Sequence, residues 1–203
     1  MKIAVIGASG HAGSRITAEL ARRGHQVTAI ARNPGRIAGH ANVTPAKGDV
    51  MDQAGLARLV TGHNAAISSV HFLASDPAKL IAAAKESKVG RYLVVGGAGS
   101  LEVAPGVRLV TTPGFPVAYK AEAEAGAAFL DLLRAEKELN WTFLSPSALF
   151  VAGERTGKFR LGADQLLTAA DGKSSISFED FAVALADEVE RPAHIRRRFT
   201  VGY

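Results

Sequence analysis

Three glycines constrain this chain more than anything else in it. They stand at the first, fourth and seventh positions of Gly7-Ala8-Ser9-Gly10-His11-Ala12-Gly13, directly after the apolar run Lys2–Ile6 and directly before a stretch of helical periodicity. A strand that must turn at once into a helix needs backbone freedom, which Gly7 supplies. Gly10 lets the backbone approach a diphosphate, and Gly13 lets the helix pack closely on a sheet. The free amides at such a helix start face phosphate oxygens, and the helix dipole adds attraction for negative charge. The spacing alone is weak evidence, but its register between strand and helix marks a nucleotide-binding turn.

Strand-length apolar runs then alternate with helical stretches. Strands are expected at Lys2–Ile6, Gln26–Ala31, Val43–Lys47, Ala65–Ser68, Arg91–Val95, Trp141–Ser145 and Arg198–Val201. Helices are expected at His11–Arg23, Met51–Val60, Pro77–Lys88 and Lys120–Leu139, with a further one after Ser177 that carries the apolar stripe Phe178, Phe181, Ala182, Leu185 and Val189. Gly24 suits a left-handed cap, Asp76-Pro77 suits a helix start, and Gly90 is expected to end the helix that begins there. Strands joined through helices predict a parallel sheet, so the fold class is α/β, doubly wound, with helices on both faces. The 203 residues, 47% hydrophobic and 21% charged, are enough for one folded domain spanning 1–203. Segments 96–118 and 147–175 interrupt the alternation after strand ends, where open α/β sheets bind ligands. They are the expected substrate walls, the second forming a small C-terminal substrate-binding extension.

The end of the second strand discriminates between dinucleotides. An acidic residue there would bond the adenosine ribose and repel a 2′-phosphate. Here the strand runs into Arg32-Asn33 with no carboxylate beside it, so NADP is expected over NAD, with Ser9 and Asn33 as neutral helpers. The formal net charge of +5 agrees with an anionic partner without choosing one. Arg196-Arg197-Arg198 reads as the solvated start of a strand rather than a nucleic-acid site, since no aromatic platform accompanies it. With no cysteine, thiolate metal sites, disulfides and cysteine nucleophiles are excluded. No histidine pair has metal-ligand spacing, so no metal is expected; His63 reads as a loop or cap residue, and His71 as a residue approaching the nicotinamide side. No apolar run has the length of a membrane span or a signal-peptide core, so a cytoplasmic protein is expected.

Taken together, these stretches resemble the atypical short-chain dehydrogenases, specifically the NmrA-like NAD(P)-binding proteins of the NADH–flavin reductase group, related to biliverdin reductase B. The resemblance rests on Lys2–Gly13, Val27–Pro34, Gly48-Asp49-Val50, Val94–Leu101, Trp141–Ala148, Gly153–Gly162 and Gly172–Ala186. Val95-Gly96-Gly97-Ala98-Gly99-Ser100 and Trp141-Thr142-Phe143-Leu144-Ser145-Pro146 are similar to the narrower reductase group. The resemblance implies a Rossmann-like fold, Asp49 and Val50 at the adenine, and Ser68, Ser69 and Val70 along the cofactor. It further implies that Gly96, Gly97, Pro146 and Ser147 edge the nicotinamide pocket.

One departure matters for mechanism. Many short-chain dehydrogenases place tyrosine and lysine four residues apart on one helical face for proton transfer. Here Tyr119 and Lys120 are adjacent and position 123 is alanine. Alcohol dehydrogenation and sugar epimerisation lose support. Reduction of a flavin or quinone asks mainly for positioning, so the expected activity is an NAD(P)H-dependent, NADPH-preferring reductase of a planar small-molecule acceptor, with flavin as substrate rather than prosthetic group. Ser100, Tyr119 and Lys120 are the candidates for orienting substrate or delivering a proton. The alternative is a non-catalytic NADP sensor acting through a protein partner. Neither nucleic acid nor membrane is an expected partner, and the chain is expected to be a monomer or homodimer.

Overall fold

The computed structural model describes residues 1–203. Its central sheet holds eight strands: β1 (Lys2–Ile6), β2 (Gln26–Ala31), β3 (Val43–Lys47), β4 (Ala65–Ser68), β5 (Arg91–Val95), β8 (Trp141–Pro146), β10 (Arg160–Gly162) and β12 (Arg197–Gly202). Between them come two small pairs, β6 (Glu102–Ala104) with β7 (Val107–Arg108) and β9 (Leu149–Val151) with β11 (Ser175–Ser177). The spatial order is β3-β2-β1-β4-β5-β8-β12-β10. Every neighbour is parallel except β10, which runs antiparallel to β12. The chain thus works outward from β1 to β3, then returns to the other side of β1 at β4. That reversal opens a crevice at the carboxyl ends of β1 and β4. This is a Rossmann-like doubly wound sheet.

Successive residues of β1 sort into two cores, as strand geometry demands. Ile3 and Val5 face α1 (His11–Arg22) and α5 (Phe178–Glu190), joining Ile16, Leu20, Phe181, Leu185 and Phe199. Ala4 and Ile6 face α2 (Gln53–Val60), α3 (Pro77–Glu86) and α4 (Val117–Ala135), joining Leu56, Leu80, Tyr92, Phe129 and Phe143. Both sheet faces are covered, which is why the strands read as unbroken apolar runs.

Several boundaries differ from expectation for local reasons. Asp52 accepts from the Gly55 amide and starts α2 at Gln53 instead of Met51. Helix α3 stops at Glu86, and the left-handed residue that follows is Lys88 (φ +55°), not Gly90. Gly90 matters for space: a Cβ there would lie 3.2 Å from the Asn64 carbonyl oxygen. Helix α4 begins three residues before Lys120 and ends at Ala135. The basic run is absorbed structurally, with Arg196 donating to the Leu139 carbonyl and Arg198 buried against Asp164 and Ser100. His63 links the Val60 carbonyl to the Thr28 hydroxyl, tying the end of α2 to β2.

The two edges of the sheet are unlike. On β3, Pro45 pairs in register with Ala29, and the Gly48 amide bonds the Ala31 carbonyl. By alternation, the missing proline N–H lies on the outward side. The opposite edge is the three-residue β10, whose Arg160 is turned to the carbonyls of Thr168 and Tyr203.

A strap of residues 153–158 crosses α1 and α5. The Gly153 amide bonds Glu179 (2.9 Å), while Thr156 and the Gly157 amide both bond the fully buried Asp180 (2.6 and 2.7 Å). Arg155 makes a two-point ion pair with Glu19 at 2.9 and 3.0 Å. Glu19 is buried and also receives Arg22 and Arg23. Burial alone would raise its carboxyl, but hydrogen bonds from the three arginines outweigh that and hold it below the usual carboxylate range. A depressed folded-state value contributes stability above the unfolded glutamate value of about 4.3, and that contribution fades as pH falls below it. Glu19→Gln is therefore expected to cost about 3 kcal/mol in denaturant unfolding at pH 7, with the gap to the unaltered protein narrowing as pH drops under about 4. A gap independent of pH would refute the ionic account.

Candidate functional site

The turn between β1 and α1 is shaped by contacts that admit no side chain. Gly7 has φ +83°, and a Cβ there would sit 2.1 Å from the Ser69 carbonyl oxygen. A Cβ on Gly13 would lie 2.2 Å from the Gly7 carbonyl oxygen. Gly7 and Ala8 donate to the Ile30 carbonyl at 2.9 and 3.1 Å, so the turn is bonded to β2 as well as pressed on β4. Gly10 differs: a Cβ on it would meet only the Gly7 oxygen at 3.3 Å and the Ser69 oxygen at 4.0 Å. Its bareness serves the space in front of it. No side chain caps α1 and no acidic residue stands in its first turn, which leaves the amides of His11, Ala12 and Gly13 free to bind an anion.

That turn forms the floor of a cleft of about 830 Å³ along the carboxyl ends of the strands. Of the residues singled out from sequence, Gly7, Ser9, Gly10, His11, Ala12, Arg32, Asn33, Val50, Ser69, Val70, Gly96, Gly97, Pro146 and Ser147 line it. Ala8, Gly13, Asp49 and Ser68 are not part of this surface. Ala8 and Ser68 are buried, Gly13 is packed on Gly7, and Asp49 accepts from the Met51 amide. At the β2 end, Arg32 is joined by Arg36, which the sequence reading missed; both are exposed and neither is ion-paired. Asn33 accepts from the Gly35 amide, fixing the 3-10 turn Pro34–Arg36 that carries Arg36 into the cleft. The four-residue interval from Arg32 to Arg36 was the available signal.

The cleft is also lined by three phenylalanines. His11 stacks on Phe178 at 5.8 Å and 6°, and Phe150 meets Phe178 edge-on at 4.5 Å. Opposite them stands Phe72, in a 3-10 turn clamped by α4. Three residues of α4, spaced four and three apart, do the clamping. Glu122 accepts from the amides of Phe72 and Leu73 at 2.7 and 2.9 Å. Gly126 leaves room for the Phe72 ring, since a Cβ would come 2.6 Å from it, and Phe129 packs edge-on against that ring at 6.1 Å.

Ser100, Tyr119 and Lys120 do not reach this cleft. Ser100 is buried beneath Arg198, whose guanidinium donates to its hydroxyl. Tyr119 is 68% exposed, and Lys120 faces Glu124 at 4.0 Å. Because α4 starts at Val117, these two residues fall in its first turn on the solvent side, and the cleft receives Glu122 instead. The two segments expected as substrate walls reach the cleft only in part. Only Gly96, Gly97 and Ala98 of segment 96–118, and Ser147, Ala148 and Phe150 of segment 147–175, line the cleft. Beyond residue 98 the first segment folds into the β6–β7 pair, and beyond residue 150 the second becomes strap and sheet edge. The Ser147 hydroxyl is spent on the Val201 carbonyl at 3.0 Å.

A Rossmann-like sheet with an uncapped, glycine-floored helix start and two unpaired arginines at the end of β2 defines a dinucleotide-binding protein. The chain matches the NAD(P)H-binding family over residues 7–192 and belongs to it. Three solved structures are similar along their whole length. A Burkholderia pseudomallei protein provisionally described as exported is 46% identical, with both chains fully covered and a TM-score of 0.90. A Bacteroides thetaiotaomicron protein provisionally named an epimerase is 38% identical, with 100% of this chain and 96% of that one covered and a TM-score of 0.95. A Streptococcus pneumoniae protein provisionally named an NADH-flavin reductase is 38% identical, with 100% and 99% covered and a TM-score of 0.83. No helix of the chain is long and apolar enough to cross a membrane.

The glycines separate folding from binding. Gly7→Ala is expected to lower the thermal midpoint sharply, because its φ disfavours a side chain and the added Cβ would lie 2.1 Å from the Ser69 oxygen. Gly10→Val should leave the midpoint within a few degrees while abolishing NADPH and NADH binding in equilibrium titration. Retained binding in a folded Gly10→Val protein would remove the diphosphate assignment.

Proposed function

We propose that this protein is an NADPH-preferring reductase that passes hydride to a flavin, quinone or similar planar acceptor. The observation that carries the proposal is a single cleft lined by an uncapped helix start, two unpaired arginines after β2 and the rings of Phe72, Phe150 and Phe178. The glycine floor fits a dinucleotide because the space before Gly10 is open and the adjoining amides have no acceptors within the protein. When bound, the reduced nicotinamide supplies the hydride.

In this reading the amides of His11, Ala12 and Gly13 bind the diphosphate, and Arg32 and Arg36 take the 2′-phosphate with planar, charge-assisted hydrogen bonds. Asp49 and Val50 adjoin the adenine, while Ser68, Ser69 and Val70 follow the cofactor from the end of β4. Gly96, Gly97, Pro146 and Ser147 border the nicotinamide. Phe72 on one side and Phe150 with Phe178 on the other orient a flat acceptor and exclude water from it. Flavin enters as a substrate. The similarity to the Streptococcus pneumoniae protein supports this acceptor class. The cleft lacks the tyrosine and lysine with which many short-chain dehydrogenases move protons, which lends epimerisation no support.

That same lack favours a second reading, a non-catalytic NADP sensor acting through a protein partner, and turnover decides between them. NADPH incubated with FMN, and then with a soluble quinone, is expected to lose its reduced-nicotinamide absorbance faster than a control without protein. No loss despite measured NADPH binding would favour the sensor. Arg32→Glu and Arg36→Glu are each expected to weaken NADPH by about tenfold or more and NADH far less, as loss of a charged contact to phosphate predicts. Equal weakening of both cofactors would refute the 2′-phosphate assignment.

A further inference from the structure

The cleft contains few groups able to move a proton. Its titratable side chains are His11, Arg32, Arg36, His71 and Glu122. A guanidinium does not serve as a proton donor. His11 lies flat on Phe178 and its ring makes no hydrogen bond to the protein. His71 and Glu122 alone form a bonded imidazole–carboxylate pair, Nδ1 to Oε1 at 3.3 Å. The carboxylate of Glu122 already accepts two backbone amides, so it faces His71 as an acceptor and Nδ1 carries the hydrogen. That leaves Nε2 as the exchanging nitrogen, on a ring that is 87% exposed and in free contact with solvent protons. The turn that presents His71 is held by both oxygens of Glu122 and by the seat that Gly126 leaves for Phe72, so the imidazole is carried by a braced element.

We infer that the acceptor is of the quinone class and that His71 is its proton donor, with Glu122 as the positioning residue that fixes the ring. The inference rests on the reductase reading above. Reduction of a quinone to a quinol takes one hydride and one proton: the hydride comes from the reduced nicotinamide dinucleotide, and the proton passes from imidazolium Nε2 to a quinone oxygen. His71 is left as the neutral Nδ1–H tautomer that Glu122 holds, and solvent restores its proton. The overall exchange consumes one reduced dinucleotide and one proton per quinone. A flavin accepting hydride at its central ring can leave as the anion and does not need the donor. The two acceptor classes therefore respond differently to loss of the imidazole.

The test compares a soluble benzoquinone with FMN in the unaltered protein and in His71→Gln. The ratio of quinone to FMN turnover is expected to fall roughly 30-fold or more, as loss of a general acid predicts, with NADPH affinity unchanged in a binding titration. In protein labelled with 15N-histidine, the His71 resonances should shift when NADP and quinol are added together. In Glu122→Gln, Nδ1 of His71 should lose its uniformly protonated signature. An unchanged ratio, equal loss with both acceptors, or a His71 signal indifferent to quinol would each overturn the inference while leaving the reductase reading intact. Turnover of FMN but not quinone by the unaltered protein would overturn it too. No turnover of either acceptor would remove the reductase reading and the inference together.

Discussion

The close approach of Gly7 to the Ser69 carbonyl is the contact on which the other parts of the site depend. It brings the ends of β1 and β4 together at the point where the strand order reverses, and the Gly13 seat on Gly7 then draws α1 down on the same spot. With the first turn of α1 fixed there, its free amides open into the crevice rather than onto the sheet. The sheet reversal makes a crevice in any fold of this kind. The absence of three Cβ atoms makes this one deep enough at its floor to take a phosphate group.

Much of this was legible in the sequence because the physics is local. Most of the strands from β1 to β5 were placed by their apolar runs, which are continuous where both sheet faces are covered; β3, at the sheet edge, is largely exposed. The glycine turn was legible because backbone shape and anion affinity come from the same few residues. Arg32 could be read from its place after β2. What was hidden depends on helix phase and long-range packing. In α4, Tyr119 and Lys120 lie in a first turn that faces solvent, while Glu122 reaches the cleft and Gly126 seats Phe72. Ser100, though next to a strand end, is buried by Arg198 from a strand almost a hundred residues later. Neither fact is written in a periodicity. The pattern Glu122, Gly126, Phe129 does lie on one helical face, but its meaning needs Phe72, which arrives from another element.

The far wall is governed by charges on the opposite side of the sheet from α4. Phe178 begins α5, Ser177 caps it through the Asp180 amide, and Asp180 binds the strap by Thr156 and Gly157. Glu19 joins the same strap to α1 through Arg155, while Arg23 joins α1 to Asp187 and Glu190 of α5. The two helices that contribute His11 and Phe178 are thus held by one ionic network, and the stacking of those two rings is its visible result in the cleft.

Pro45 limits how molecules of this kind can meet. With no outward N–H at its middle, β3 offers a neighbouring strand an interrupted ladder, and β10 at the other margin is only three residues long. The sheet is finished at both margins. Copies of the chain have little to gain by stacking edge to edge into extended assemblies.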